Sequence, residues 1–170
     1  MPIETTSTSV CAVCLVPYKR VDLVVEAFNR LGRPLLVVGD GPERARLEAL
    51  AGPTVTLLGR QSQQQVEELM ARCRAFVSAG LQDFGIAPVE AMASGAPVIG
   101  LGRGGLLDSV RCAAAGISEP TGVLFPEQSV ESLVQAVEWF EQERIWRSLD
   151  AEAIRACAER FRPEGLRGAL

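Results

Sequence analysis

Gln82-Asp83-Phe84-Gly85-Ile86-Ala87-Pro88-Val89-Glu90-Ala91-Met92-Ala93-Ser94-Gly95-Ala96-Pro97-Val98-Ile99 reads as a loop, a helix and a strand in succession. The apolar run Ala75-Phe76-Val77 just before it has strand length, and Gly80 and Gly85 punctuate the loop. Pro88 suits the first turn of a helix, where its missing N–H costs nothing, and Gly95 and Pro97 stop that helix. Glu90 is then expected in the first turn, beside free backbone N–H groups and the positive end of the helix dipole, ionised and held still. A carboxylate fixed at the mouth of a sheet suits sugar hydroxyls; its plainer role is to complement the dipole.

Outward from this stretch, strands and helices alternate. The first strand is expected over Ser9 to Val16, followed by the turn Pro17-Tyr18-Lys19-Arg20. Val21, Val24, Val25, Phe28 and Leu31 recur at helical spacing, and Leu35-Leu36-Val37-Val38 is a continuous apolar run, as a parallel strand covered on both faces requires. Gly39-Asp40-Gly41-Pro42 is a tight turn, with Pro42 placed to open a helix reaching about Leu50. Val55-Thr56-Leu57-Leu58 is a third strand that Gly59-Arg60 leaves, and Val66, Leu69, Met70 and Cys73 form the next helical stripe. Beyond the opening stretch come a strand from Pro97 to Leu101, a helix near Leu106 to Ala113, and a strand at Val123-Leu124-Phe125. Ser129 reads as an N-cap without a full capping box, and helices fill the chain to about Arg160.

This alternation predicts one α/β domain, a doubly wound parallel sheet of about six strands. Ligand belongs outside the carboxyl ends of the strands, where turns, glycines and helix N-termini converge. Those ends are Cys14 to Arg20, Gly39 to Pro42, Gly59-Arg60, Ser78 to Ile86 and Gly102 to Gly105. Lys19 and Arg20 would sit at the positive end of a helix, which favours an anionic partner nearby.

The 170 residues suffice for one domain, with 48% hydrophobic and 22% charged residues. A net charge of −4 with a pI near 5.0 disfavours nucleic acid as a partner. Histidine is absent, which removes imidazole acid–base chemistry, Ser-His-Asp and Cys-His arrangements and most imidazole-containing zinc sites. No apolar run approaches the ~20 residues of a membrane helix. The start lacks the basic region and apolar core of a secretion signal, so a cytoplasmic location is expected. The five cysteines fit reduced thiols. Cys11-Ala12-Val13-Cys14 has C-x-x-C spacing, but it lies in an apparent buried strand and not at a helix start, so a structural role outweighs a redox or metal one. Gly39-Asp40-Gly41-Pro42-Glu43-Arg44 begins like a dinucleotide fingerprint. It fails at Arg44, where the third glycine belongs, and it follows the second strand.

Asp83-Phe84-Gly85-Ile86, Pro88, Glu90-Ala91-Met92-Ala93, Gly95 and Pro97-Val98-Ile99 together resemble the donor-site signature of family 4 retaining glycosyltransferases. These are GT-B enzymes with two Rossmann-like domains. That signature carries two glutamates separated by seven residues; the second matches Glu90 and the first falls on Gln82. Val16-Pro17-Tyr18-Lys19-Arg20-Val21-Asp22 resembles the turn in which an arginine and a lysine five residues on hold the donor diphosphate. Lys19 matches the lysine, and the arginine position falls on Cys14. Val38 to Glu43, Val55 to Gly59 and Gly104-Gly105 look like family segments too, so the resemblance covers roughly residues 9 to 160.

The resemblance implies a flexible lead-in over residues 1–8, a nucleotide-sugar-binding domain over 9–162 and a tail over 163–170. No region matches the acceptor-presenting half, so a separate acceptor-binding domain or polypeptide is the implied partner. Catalytic roles are expected for Gln82, Glu90 and Lys19, and donor contacts for Cys14, Lys19, Gly59, Arg60, Asp83, Phe84, Gly85, Ile86 and Glu90. The substrate would be a nucleotide-diphosphate sugar, with no cofactor and no metal, transferred with retention. Cys14 removes charged hydrogen bonds worth about 1.5–3 kcal/mol each. Gln82 keeps the length of glutamate but without charge assistance its bonds have about half the strength. Two functions follow: a donor domain weakly active or inactive by itself, or a degenerate, non-catalytic nucleotide-sugar-binding or regulatory module.

Overall fold

The structure, a computed structural model, describes residues 7–81, 86–110 and 120–161. Six short apolar segments form the strands: β1 (Ser9–Ala12), β2 (Leu35–Val38), β3 (Val55–Gly59), β4 (Phe76–Ser78), β5 (Val98–Leu101) and β6 (Gly122–Phe125). Between and after them run α1 (Val21–Leu31), α2 (Arg44–Leu50), α3 (Gln63–Arg72), α4 (Ile86–Ala93), α5 (Leu106–Ser109), α6 (Val130–Gln142), α7 (Ile145–Ser148) and α8 (Ala151–Phe161). All strand pairs are parallel and the order across the sheet is β3-β2-β1-β4-β5-β6. The expected doubly wound parallel sheet is therefore the observed one.

Successive strand side chains alternate between two cores, as a period of two demands. Cys11, Leu35, Val37, Val77, Ile99 and Phe125 face the layer of α1, α2 and α6, with Phe28 and Phe140 fully buried there. Val10, Val38, Phe76 and Val98 face the layer of α3, α4, α5 and α8, against Met70, Met92 and Ile154. Strands covered on both sides must be apolar at every position, which is why they read as continuous runs.

The element boundaries depart from expectation at β1, α2, α4 and α5, the last ending at Ser109 with Val110 already extended, short of the expected Ala113, which lies outside the described residues. β1 ends at Ala12, four residues short of Val16, because β2 ends at Val38 and the chain beyond Ala12 follows the next loop: the N–H groups of Val13 and Leu15 donate to the carbonyls of Val38 and Asp40. α2 begins at Arg44 and not Pro42, because Gly41 to Arg44 first close a turn through the Arg44 N–H and the Gly41 carbonyl. α4 begins at Ile86, making Pro88 its third residue and Glu90 its fifth. Pro88 thus remains among the first N–H positions that need no helical partner. Glu90 lies beyond the first turn, which corrects the expectation that it sits beside the free N–H groups. Ser129 does cap α6, accepting from the Ser132 N–H at 3.1 Å. A full capping box, Ser62 with Gln65, opens α3 and went unread in the sequence.

Candidate functional site

In the order β3-β2-β1-β4-β5-β6, the winding of the chain across the sheet reverses between β1 and β4, the switch point outside whose carboxyl ends open α/β sheets bind ligands. The loop after β1 carries Cys14 and Lys19, and the loop after β4 leads through Gly80 into the opening stretch.

The β1 loop is gripped from both sides. A methyl group on Gly39 would stand 2.0 Å from the Val13 carbonyl oxygen, and one on Gly41 would stand 2.5 Å from that of Leu15. Gly39 also holds φ of +132°, which disfavours other residues. On the far side Gly80 lies against Lys19 itself, where a methyl would come within 2.9 Å of the Lys19 Cα. Pro17–Lys19 forms a 3-10 turn ending on Arg20 in the left-handed region, from which α1 departs.

Lys19 is the only lysine of the chain. Its ammonium lies 5.2 Å from the centre of the Tyr18 ring and, among the described residues, has no carboxylate within ion-pair distance. Arg20 differs, because its Nε pairs with Asp22 Oδ1 at 3.2 Å in the first turn of α1, and so its charge at the helix start is locally balanced. Cys14 is exposed and free, while Cys11 is buried in β1, so the C-x-x-C pair points to different environments. Burial pushes the Cys11 thiol up to about 12. Among the described residues no group of three or more Cys, Asp or Glu could hold a metal ion.

Glu90 is half-buried and opens onto a groove of about 480 Å³ between α3, α4 and α8, whose other polar walls are Gln63, Gln64, Glu67, Glu68, Ser94 and Arg155. Lys19 and Cys14 are not among the walls of this groove; they stand on the β1 side of the β4 end. The α3 and α8 residues facing Glu90 gave no signal in the sequence, because as polar positions on exposed helix faces they resemble any solvated surface.

Gly59 ends β3 with φ of +73°, and the Arg44 guanidinium lies 3.1 Å from where its Cβ would be. Arg60 follows, exposed, beside Asp40. The Asp40 carboxyl is held below the usual carboxylate range first by the Gly41 N–H at 2.8 Å, then by the charges of Arg44 and Arg60. Gln82, Asp83, Phe84 and Gly85 lie outside the described residues, as does the side chain of Ile86. Of the expected site residues that are described, Cys14 and Lys19 thus stand on the loop after β1, Gly59 and Arg60 at the end of β3, and Glu90 on the groove between α3, α4 and α8, which the Lys19 turn does not line.

The family profile for Glycosyl transferases group 1 matches residues 4–160. The chain is 31% identical over 160 residues to N-acetyl-alpha-D-glucosaminyl L-malate synthase of Bacillus anthracis, pairing 86% of this chain with 39% of that protein. It is 35% identical over 109 residues to a GDP-mannose-dependent alpha-mannosyltransferase of Mycobacterium tuberculosis, covering 64% of this chain and 29% of that one. Among solved structures, sucrose-phosphate synthase of Thermosynechococcus elongatus superposes with a TM-score of 0.76 at 26% identity, over 91% of this chain and 41% of that one. Anabaena HepE in complex with UDP and glucose gives 0.74 at 20% identity, over 94% and 45%, a likeness of fold alone. The chain thus spans less than half the length of each of these proteins.

Proposed function

The chain belongs to the Glycosyl transferases group 1, and from that premise we propose that it is the donor-binding, carboxyl-terminal half of a GT-B, family 4 retaining enzyme. The observation that carries this reading is the position of Lys19. The single lysine of the chain stands on the loop after β1, where the strand order switches to β4, on a turn braced by Gly80, with no carboxylate partner among the described residues. An uncompensated ammonium on a braced turn at the carboxyl end of a sheet suits a diphosphate, whose negative charge grows as the glycosidic bond to the sugar breaks. UDP in the HepE structure and GDP-mannose in the name of the mycobacterial relative support the same ligand class.

In this reading Lys19 stabilises the leaving diphosphate and Glu90 accepts hydrogen bonds from the ribose hydroxyls at the head of its groove. The backbone of Gly85 and Ile86 would meet phosphate or sugar oxygens, Asp83 and Phe84 would shape that loop, and Gly59 and Arg60 would border the base. Gln82 would bind donor sugar hydroxyls without the charge a glutamate brings. Cys14 leaves the first turn one cation short. That exposed thiol favours a second reading, a nucleotide-sugar-binding module without turnover.

Because Lys19 is the only lysine, an amine-selective reagent followed by peptide mass spectrometry reports on it alone, apart from the chain terminus. UDP, GDP or ADP should protect it. Lys19→Ala and Glu90→Ala should each weaken titrated binding of the best of these ligands about ten- to a hundredfold, the worth of a charged hydrogen bond. Unprotected Lys19 together with unchanged affinity in both variants would remove the site. Transfer assays with a supplied acceptor-binding half then separate the enzyme from the silent module.

A further inference from the structure

The end of β4 is held from two directions before the chain enters residues 82–85. From one side the side-chain amide of Gln128 donates from Nε2 to the Ala79 carbonyl at 3.0 Å, joining positions 49 apart in sequence. From the other, Gly80 seats on the backbone of Lys19, with its missing methyl 2.9 Å from Cα, 3.0 Å from O and 3.1 Å from C. Those three atoms belong to the main chain, so no rotamer change relieves a clash there, and movement of Ala79–Gly80 is passed to the Lys19 turn.

Gln128 is itself mounted rigidly. It immediately precedes the α6 N-cap Ser129, whose Oγ accepts from the Ser132 N–H at 3.1 Å, while the Ser132 Oγ accepts from the Glu127 N–H at 3.3 Å. Ala79 is 1% exposed, so water cannot readily replace the amide at its carbonyl. An amide donor brings no net charge, and its effect on a phosphate site is therefore geometric.

We infer that Gln128 is a positioning residue for the diphosphate end of the donor site, acting through the Ala79–Gly80 seat on the Lys19 turn. This rests on the reading that Lys19 holds donor phosphate, and the test separates the two. Gln128→Met keeps length and packing but cannot donate. In the full chain, titration with UDP, GDP and ADP should show the tightest of them weakened by about three- to tenfold, as for a small misplacement of a binding group.

In a Lys19→Ala background the same change should cost less than about twofold, because the group being positioned is gone. A purely structural role would cost the same factor in both backgrounds, and that equality, or an unchanged affinity in Gln128→Met, overturns the inference while leaving Lys19 in place. Unchanged affinity in Lys19→Ala alone overturns the phosphate reading and this one with it. Should Gln128→Met fail to fold, Gly80→Ala displaces the same turn directly, and it must show the same dependence on Lys19.

Discussion

At the scale of single residues, position 14 offers a gain-of-binding test. Cys14 is exposed, so an arginine fits there without repacking, and Cys14→Arg should tighten nucleoside diphosphate binding about tenfold or more by adding a charged hydrogen bond. Unchanged calorimetric affinity with an intact circular dichroism spectrum would show that the first turn is misaligned with the family. The thiols sort by environment. With Cys112, which lies outside the described residues, changed to serine, Cys14 should react with a disulfide reagent at pH 8 while Cys11, Cys73 and Cys157 stay protected until unfolding. Burial raises the Cys11 and Cys73 thiols from 9.0 to about 12. The folded state therefore keeps protons that the unfolded state releases. The stability this represents is fully present below pH 9 and falls as pH rises from 9 toward 12. Urea midpoints across that range should show the decline, and Cys11→Val should remove its share. Cys11 as a structural residue was legible from the apolar run around it, whereas the groove beside Glu90 was not, because Gln63, Glu67 and Arg155 line it from other helices.

At the scale of elements, the strands were the most readable and the helix starts the least. A strand covered on both faces announces itself as an unbroken apolar run, while a helix start depends on where the preceding turn closes its hydrogen bonds, as at Gly41 to Arg44. Phe76 in β4 is fully buried against Met92 and its layer, so Phe76→Ala should cost about 3–5 kcal/mol in urea unfolding. Ser129→Ala, by removing the α6 cap, should cost about 1 kcal/mol. Gly122→Ala should be the most disruptive of the three, since its methyl would fall 2.0 Å from the Val98 carbonyl and force β6 away from β5. Comparable losses for Ser129→Ala and Gly122→Ala would contradict that contact.

At the scale of the whole molecule, one sheet with a core on each face presents a single carboxyl rim, and the turn that carries Lys19 belongs to it. The 170-residue chain should bind a nucleoside diphosphate but transfer little or no sugar by itself. Turnover, followed by mass spectrometry of product, should appear when a polypeptide matching the remaining length of the relatives is added. Rapid transfer by the chain alone would overturn the half-enzyme reading. No helix among the described residues is long and apolar enough to cross a membrane. The sequence by itself determined the alternation of strands and helices, the parallel sheet that this alternation requires, the glycine-rich rim and the residues at its turns, because each is a pattern within a few neighbouring positions. Only the tertiary structure decided that β1 lies beside β4, that Gly80 seats on Lys19, that Gln128 reaches Ala79 and that Glu90 opens toward α3 and α8. Those pairings join residues far apart in the chain, and they exist only once two-sided burial of the sheet has selected one strand order.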